Sequence, residues 1–179
     1  RLADVVVLNK IDTADRAGIE AELEAVRSVN PDAQVIMAAS PVTVDDPAAV
    51  KGKRVLVVED GPTLTHGEMK YGAGTVAARQ LGAGEFIDPR PFAAGEIKAT
   101  FEKYPGVGTL LPAMGYSDEQ LRDLETTINA SGAELVVIGT PMDLRRISDI
   151  KLPAVQVGYD VQEIGSPTLE DVLRERGFI

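Results

Sequence analysis

Short runs of apolar residues alternate along the chain with stretches in which apolar positions recur every three or four residues. The short runs predict strands, and several are apolar throughout, as in sheets that are covered on both faces. The predicted strands are residues 4–8, 34–38, 54–58, 84–88, 107–111, 134–138 and 154–158. The predicted helices are residues 15–29, 72–82, 93–104, 117–131, 143–149 and 168–176. This alternation predicts an α/β fold with a three-layer, mostly parallel sheet that carries helices on both faces.

Two helix starts and one connecting segment refine this pattern. Ser117 is followed three residues later by Gln120, which predicts a capping box, and Thr168 opens the last helix in the same style. Residues 41–53 contain two prolines and two adjacent acids, and they end in basic residues. We therefore predict that 41–53 connects two blocks of one sheet.

The first predicted strand begins almost at the start of the sequence. Residues 4–8 form a strand of the buried type, although the sequence starts at Arg1. A domain seldom begins inside its core sheet. We therefore expect the chain to be the C-terminal part of a longer protein, with an upstream portion of the same protein as its partner, and to be inactive by itself.

Composition and charge narrow the classes of function. The chain has 179 residues and a formal net charge of −10, and it contains no cysteine. The negative charge argues against a surface for nucleic acid or anionic membrane. The absence of cysteine excludes disulfides and cysteine-bound metal centres and fits a cytoplasmic protein. No apolar run approaches the roughly 20 residues that span a bilayer. We expect neither nucleic acid nor membrane as a partner, and a homo-oligomer stays open.

The first post-strand loop contains Asn9, Lys10 and Asp12, spaced as in the N-K-x-D pattern with which P-loop GTPases recognise guanine. A carboxylate in the plane of the base accepts hydrogen bonds from two guanine donors that adenine does not present together. The next predicted strand leads to Ser40, in a loop whose backbone N–H can support the base. These four residues predict a binding site for ATP or GTP. Alternatively, Asp12 or Thr13 is only the N-cap of the next helix.

The chain lacks the G-x-x-x-x-G-K-[ST] phosphate loop that normally accompanies such a base site. That loop is therefore expected in the upstream portion. The predicted domains are residues 1–50, the C-terminal part of a P-loop nucleotide-binding block, and residues 51–179, an α/β continuation that carries the substrate loops.

The loop that follows the apolar run RVLVV is unusually polar. Glu59 and Asp60 stand at the end of the strand, where carboxylates can hold Mg²⁺ or orient a nucleophile. Downstream lie hydroxyl, imidazole and ammonium donors and two glycines before a helix of small residues, which suits phosphate oxygens. These residues are Thr63, Thr65, His66, Lys70, Gly72 and Gly74. The alternative is a surface loop whose polar groups contact only water.

Two further post-strand loops contain arginine. Thr140, Asp143 and Arg145 follow the strand ELVVI, and Arg90 follows GEFID in a proline-rich turn. Arginine binds phosphate oxygens through paired N–H groups, so these residues are candidate substrate contacts. Alternatively, Thr140 or Asp143 caps the next helix and the arginines pair with surface acids.

Several segments together resemble one family. They are Asn9 to Asp12, VEDGPTLTHGEMKYGAG at 58–74, DPRP, TFEKYPGVGTLLPAMGY, VVIGTPMDL and the closing Tyr-x-x-x-Glu-x-Gly-x-Pro-Thr-Leu. Nearly the whole chain is similar to the C-terminal part of the cyclic 2,3-diphosphoglycerate synthetase family, which also contains predicted P-loop GTPases. The resemblance implies ATP-driven closure of a phosphoanhydride between the two phosphates of 2,3-diphosphoglycerate, with Mg²⁺.

In such a reaction two phosphates of one acid are brought together against their repulsion, so cations and N–H groups carry most of the chemistry. The phosphorylated acid is the expected small-molecule partner. The predicted catalytic residues are Glu59, Asp60, His66 and Lys70, of which Glu59 and Asp60 also hold the metal. Arg90 and Arg145 join His66 and Lys70 as predicted phosphate ligands.

Two other functions are left open by the residues. A GTPase switch or chaperone-type NTPase would select GTP through Asp12 and would not use diphosphoglycerate. A non-catalytic module for a phosphate ligand would bind that ligand without nucleotide turnover.

Overall fold

A computed structural model describes residues 2–66 and 71–179, without the side chains of Thr63, Thr65 and His66. The strands are β1 (Val5–Leu8), β2 (Gln34–Ala39), β3 (Val42–Val44), β4 (Arg54–Asp60), β5 (Glu85–Phe86), β6 (Leu111–Ala113), β7 (Leu135–Gly139), β8 (Ala154–Tyr159) and β9 (Gln162–Glu163). The helices are α1 (Arg16–Val29), α2 (Gly61–His66), α3 (Ala73–Gln80), α4 (Gly95–Lys103), α5 (Asp118–Ala130) and α6 (Leu169–Glu175). The predicted α/β class is confirmed. No helix in the described ranges combines the length and apolar character needed to cross a membrane.

The chain forms two compact units. Unit 1 consists of Arg1–Pro41 and Tyr159–Ile179, and unit 2 consists of Val42–Gly158. The chain therefore leaves unit 1 after Pro41 and returns to it at Tyr159, so that unit 2 is an insertion in the sequence of unit 1. The predicted division at residue 50 stays a prediction.

Unit 2 is built on a sheet with the strand order β3-β8-β7-β4-β5, and β6 also pairs with β4. The pairs of β4 with β5, β6 and β7, and of β7 with β8, are parallel. Apolar runs make the two central strands, β4 and β7, buried along almost their whole length. Helix α3 packs against β4 and β7, whereas α4 packs against α5. This arrangement is compatible with the predicted three layers.

Unit 1 contains a three-stranded sheet with the order β1-β2-β9. β1 is parallel to β2, with Val5 opposite Gln34, and β9 is antiparallel to β2. The buried hydrophobic residues that the structure describes in this unit are Ile36, Ala38, Ala39 and Val172. Helix α1 is amphipathic in sequence, but none of its residues is fully buried.

The helix starts follow their local sequence. The predicted capping box of Ser117 and Gln120 is confirmed, and Thr168 forms a second one with Asp171. The alternative prediction that Asp12 or Thr13 is the N-cap of α1 was wrong. The N-cap is Asp15, whose Oδ1 accepts a hydrogen bond from the backbone N of Gly18.

Four predicted segments differ from the structure. The strand predicted at 107–111 is displaced to β6, because local turns occupy 104–110. The helix predicted at 143–149 is only the 3-10 turn Leu144–Arg146. Segment 41–53 was predicted to connect two blocks of one sheet, but β1 and β2 before it and β4 to β8 after it belong to two separate sheets. The segment itself contains the edge strand β3 and a 3-10 turn at Pro47–Ala49. The polar loop begins with α2, since proline is tolerated in the first turn of a helix.

Candidate active site

Three neighbouring strands of unit 2 end at one edge of the sheet. β4 lies between β6 and β7, with Asp60 opposite Ala113 on one side and Glu59 opposite Gly139 on the other. Because the strands are parallel, the loops that follow all three meet at this edge, which is where open α/β sheets bind their ligands. We call the residues that directly follow β4, β6 and β7, together with Asp60, the unit 2 edge.

Glu59 is the buried acid behind this edge, with only 1% of the residue exposed. Its Oε1 accepts hydrogen bonds from the backbone N of Gly72 at 3.1 Å and from the backbone N and Oγ1 of Thr75 at 2.7 and 2.8 Å. Its Oε2 accepts a hydrogen bond from the backbone N of Gly74 at 3.3 Å. These donors belong to the start of α3, whose N-cap is Gly72. The protein's own carboxylate thus occupies the position where an open helix start would bind an anion.

Three glycines allow this close approach of the Glu59 carboxylate. A Cβ atom at Gly139 would lie 2.5 Å from Oε2, and one at Gly72 would also overlap Oε2. A Cβ atom at Gly74 would lie 3.3 Å from Oε1 and 3.0 Å from a methyl group of Val57. The substrate role of Gly72 and Gly74 stays a prediction, and packing around Glu59 gives an independent reason for glycine at both positions.

The surroundings of Glu59 do not suit the metal role predicted for it. Burial raises the pKa of Glu59, and the hydrogen bonds from Thr75, Gly74 and Gly72 oppose that rise. Both carboxylate oxygens face N–H or O–H donors, which a metal ion would have to displace. Among the Asp and Glu side chains that the structure describes, no three are grouped so that they could hold a metal ion. The geometry makes Glu59 a structural anchor for the start of α3.

Tyr116 joins the loops after β6 and β7. Its hydroxyl interacts with the side chain of Thr140. Burial raises the pKa of Tyr116, the hydrogen bond with Thr140 opposes this, and the negative charge of Asp60 adds to the rise. The hydroxyl is therefore protonated at neutral pH. Thr140 is itself fixed, because its Oγ1 donates to the carbonyl of Met142 at 2.6 Å and its carbonyl accepts from Nε2 of Gln156 at 2.8 Å.

Three large side chains are exposed in the loops around the unit 2 edge. Tyr71 directly precedes the N-cap of α3, Tyr116 follows β6 and Met142 follows β7. The guanidinium carbon of Arg79 lies 5.3 Å from the ring centre of Tyr71. Sequence reasoning did not assign Tyr71 or Tyr116 to the site. The sequence feature that could have indicated Tyr116 is its position directly after Gly115, in the turn that follows a strand.

Arg90 is engaged within unit 2. Its Nη1 donates to Oδ1 of Asp88 at 3.0 Å, and its Nη2 donates to the carbonyl groups of Val107 and Gly108. The guanidinium also lies 5.0 Å from the ring centre of Phe101. These contacts fix the segment that leads into β6. The substrate role of Arg90 stays a prediction, and the contacts observed are those of the structural alternative.

Arg145 is engaged in a similar way. Its Nε and Nη2 donate to the two oxygens of Asp143 at 2.9 and 3.0 Å, and its Nη1 donates to Asp45 at 2.6 Å. The hydrogen bond from Arg145 holds the pKa of Asp143 below its usual value, and burial opposes this shift only in part. The carboxylates of Asp143 and Asp45 in turn raise the pKa of Arg145. The three residues form an ion-pair cluster that connects the loops after β7 and β3.

In unit 1 the structure brings together the four residues predicted to bind a nucleotide base. Oδ1 of Asp12 accepts a hydrogen bond from the backbone N of Ser40 at 3.0 Å, which ties the loop after β1 to the end of β2. Oδ1 of Asn9 accepts from the backbone N of Lys10 at 2.8 Å. Lys10 has a φ of 63°, a conformation that side chains other than glycine rarely adopt. The nucleotide role of this loop pair stays a prediction.

Part of the predicted catalytic loop lies outside the residues that the structure describes. Lys70 lies outside the described residues, and the side chains of Thr63, Thr65 and His66 are likewise not described. Their roles in catalysis and substrate binding stay predictions.

Comparison with known proteins provides one strong similarity. The chain is 58% identical over 175 residues to arginine synthetase ArcE of Thermococcus kodakarensis. The match covers 98% of this chain and 39% of that protein, so the chain spans well under half of the length of the relative. No protein-family model matches the chain.

This similarity corrects the function expected from the sequence. The relative is named for the synthesis of an amino acid, not for the closure of a cyclic diphosphate on 2,3-diphosphoglycerate. The expected cyclic 2,3-diphosphoglycerate synthetase function was therefore wrong. The name of the relative mentions neither of the two alternatives, a GTPase switch and a module without catalysis.

Proposed function

We propose that this chain forms part of a nucleotide-dependent synthetase that makes arginine. The observation that carries the proposal is the 58% identity over 175 residues to the Thermococcus arginine synthetase. A synthetase joins two reactants and drives the new bond with the cleavage of a nucleoside triphosphate. Because the match covers 39% of the relative, we assign to this chain only part of the residues that such an enzyme needs.

The proposal places the amino-acid reactant at the unit 2 edge. The amino-acid reactant and the product arginine share an α-ammonium group, and arginine adds a guanidinium group. A carboxylate such as Asp60 attracts both cations. Tyr71 and Tyr116 supply aromatic rings on which a cation or its aliphatic stem can lie. Glu59 and Thr140 support this assignment, because both are buried and hydrogen-bonded and so hold the surrounding loops in one geometry.

The nucleotide belongs, in this proposal, to the two loops of unit 1 that contain Asn9 to Asp12 and Ser40. The hydrogen bond between Asp12 and Ser40 supports it, because it holds a carboxylate between two post-strand loops. The P-loop class of the nucleotide-binding block is part of the same proposal. The name of the relative does not specify the nucleotide, so ATP and GTP must both be tested.

The polar segment that begins in α2 is assigned, within unit 2, to the phosphate oxygens of a phosphorylated reactant. Thr63, Thr65, His66 and Lys70 offer the donors that a chain with a net charge of −10 needs at such a place. Mg²⁺ accompanies such phosphate groups and keeps several of its water ligands. Glu59 does not fit as a protein ligand for it, because its oxygens already accept four hydrogen bonds.

A chimera tests the proposed function directly. This chain replaces the matching region of the Thermococcus arginine synthetase, and arginine formation is followed by mass spectrometry with ATP or GTP. We expect arginine to form with one nucleotide at a rate within about tenfold of the parent enzyme. Asp60→Asn in the chimera should lower that rate by at least roughly 100-fold, because it removes the charge that holds the α-ammonium group of the amino-acid reactant.

Asp32→Asn is the matched control, since Asp32 is exposed and lies in a turn of unit 1. A folded chimera that cleaves nucleotide but forms no arginine would contradict the proposed function. A rate that is unchanged by Asp60→Asn would remove Asp60 from the amino-acid site.

A further inference from the structure

The outer edge of β1 is an unpaired sheet edge. β1 stands at the end of the sheet of unit 1 and pairs with β2 on its inner side. In the part of the chain that the structure describes, no strand pairs with its outer side. The strand consists of Val5, Val6, Val7 and Leu8, with no proline and no charge to discourage pairing.

The hydrogen bonds of the neighbouring residue show which groups point outward. The carbonyl of Asp4 accepts from the backbone N of Gln34 in β2 at 3.0 Å, so Asp4 faces inward. Successive backbone groups along a strand point to opposite sides, so Val6 also faces β2, whereas Val5 and Val7 point their N–H and C=O groups away from it. These groups form a ladder without a partner.

The side chains around this edge are also uncovered. Leu2 is 98% exposed and Val7 is 45% exposed. Nine of the thirteen exposed large hydrophobic residues that the structure describes belong to unit 1, although this is the smaller unit. All but four of the buried hydrophobic residues belong to unit 2. Unit 1 therefore carries apolar surface that its own residues do not bury.

We infer that the outer edge of β1 receives an additional parallel strand from the region of arginine synthetase that this chain does not match. The relative provides such a region, because 61% of its length lies outside the match, as 39% is covered. The inference rests on the proposed function, since that function relates the chain to the relative.

The direction of β1 favours this occupant over a second copy of the chain. β1 pairs in parallel with β2, and a strand that is apolar at every position is typical of the interior of a parallel sheet. Two copies of β1 related by a two-fold axis would pair antiparallel. A different segment can continue the parallel sheet and cover Val7 and Leu2.

Hydrogen exchange at single amides tests the inference. The exchange rates are measured on this chain alone and on two longer proteins. These are the chimera with the Thermococcus enzyme and the intact natural polypeptide that contains this sequence. We expect the amides of Val5 and Val7 to exchange at least about 100-fold more slowly in the longer proteins than in the chain alone. The amide of Val6 is the internal control, because it already faces β2.

A pair of substitutions gives a second readout. Val7→Asp in the longer proteins should lower the thermal midpoint by at least about 4 °C, whereas Ile147→Asp should change it by less than about 1 °C. Ile147 is the matched control, because it is 37% exposed and lies in unit 2.

The possible results separate clearly. Equal exchange at Val5 and Val7 in all proteins, or equal effects of the two substitutions, would overturn the inference. A dimer of the chain alone with both amides protected would assign the edge to a second copy and would also overturn it. Protected amides in a chimera that makes no arginine would leave the surface assignment standing and would reject the proposed function instead.

Discussion

Unit 1 and unit 2 contain the same elementary motif, a pair of parallel strands, but they bury it to different degrees. In unit 2 the paired strands β4 and β7 have long runs of fully buried residues. In unit 1, β1 has no fully buried residue, and neither has α1. A parallel strand is stable when both of its faces are covered, so the comparison shows which unit completes its own core.

The polar groups follow the same division. Glu59 in unit 2 has four donors within its own unit, and Arg145 has two carboxylate partners there. In unit 1 the loop pair of Asp12 and Ser40 is exposed and contains the strained residue Lys10. Unit 2 thus pairs these charged groups internally, whereas the corresponding loop pair of unit 1 is exposed.

The largest effect should come from truncation in the two cores. Leu56→Ala in β4 should lower the free energy of unfolding by about 2 to 5 kcal/mol, because Leu56 is fully buried. Leu23→Ala in α1 should cost about 1 kcal/mol or less, because Leu23 is only half-buried. Unit-resolved hydrogen exchange in urea measures both, since two units need not unfold together. Equal losses of unfolding free energy in the two variants would show that the two units do not differ in core burial.

The next effect concerns the buried acid. Glu59→Ala should lower the free energy of unfolding by about 1 to 3 kcal/mol, because it leaves the donors of Gly72, Gly74 and Thr75 without an acceptor. Glu102→Ala, at an exposed position of α4, is the matched control and should change it by less than about 0.5 kcal/mol. Urea unfolding at pH 7 measures the difference. If Glu59→Ala left the free energy of unfolding unchanged, Glu59 would not anchor α3.

The smallest effect is a dependence on pH. The pKa of Asp143 is lower in the folded chain than its usual 3.8, so its pairing with Arg145 stabilises the fold above that value. The contribution is lost as the pH falls through the folded pKa. Relative to Asp143→Asn, the wild type should lose about 0.5 to 1 kcal/mol between pH 5 and pH 2, since the pair is partly exposed and screened. If the free energy of unfolding depended on pH in the same way in both proteins, the pairing of Asp143 with Arg145 would not contribute to stability.

Much of the fold could be predicted because the central strands are apolar at nearly every position. RVLVV and ELVVI indicate buried strands without any knowledge of the tertiary structure. β3 was missed because Val42–Val44 is short and lies between Pro41 and two acids. Among the strands that the structure describes, it pairs with β8 alone. β6 was displaced because Pro112 reads as a strand breaker, although an edge position tolerates it.

The candidate site was predicted less completely. The acids at the end of β4 and the glycines before α3 could be recognised from their order in the chain. That Glu59 turns inward to α3, while Tyr116 reaches Thr140, depends on three strands from distant parts of the sequence ending at one edge. No local pattern contains that information.

The insertion of unit 2 within unit 1 also dictates an order of events during synthesis. β1, α1 and β2 leave the ribosome first, but β9 and α6 follow only after the whole of unit 2 has been translated. At usual elongation rates this delay is on the order of ten seconds, far longer than a helix or a hairpin needs to form. The two ends of unit 2 lie on β3 and β8, which are neighbours in its sheet, so unit 2 can close before unit 1 is complete. For that interval the nascent chain contains a complete unit 2 and a unit 1 that still lacks β9 and α6.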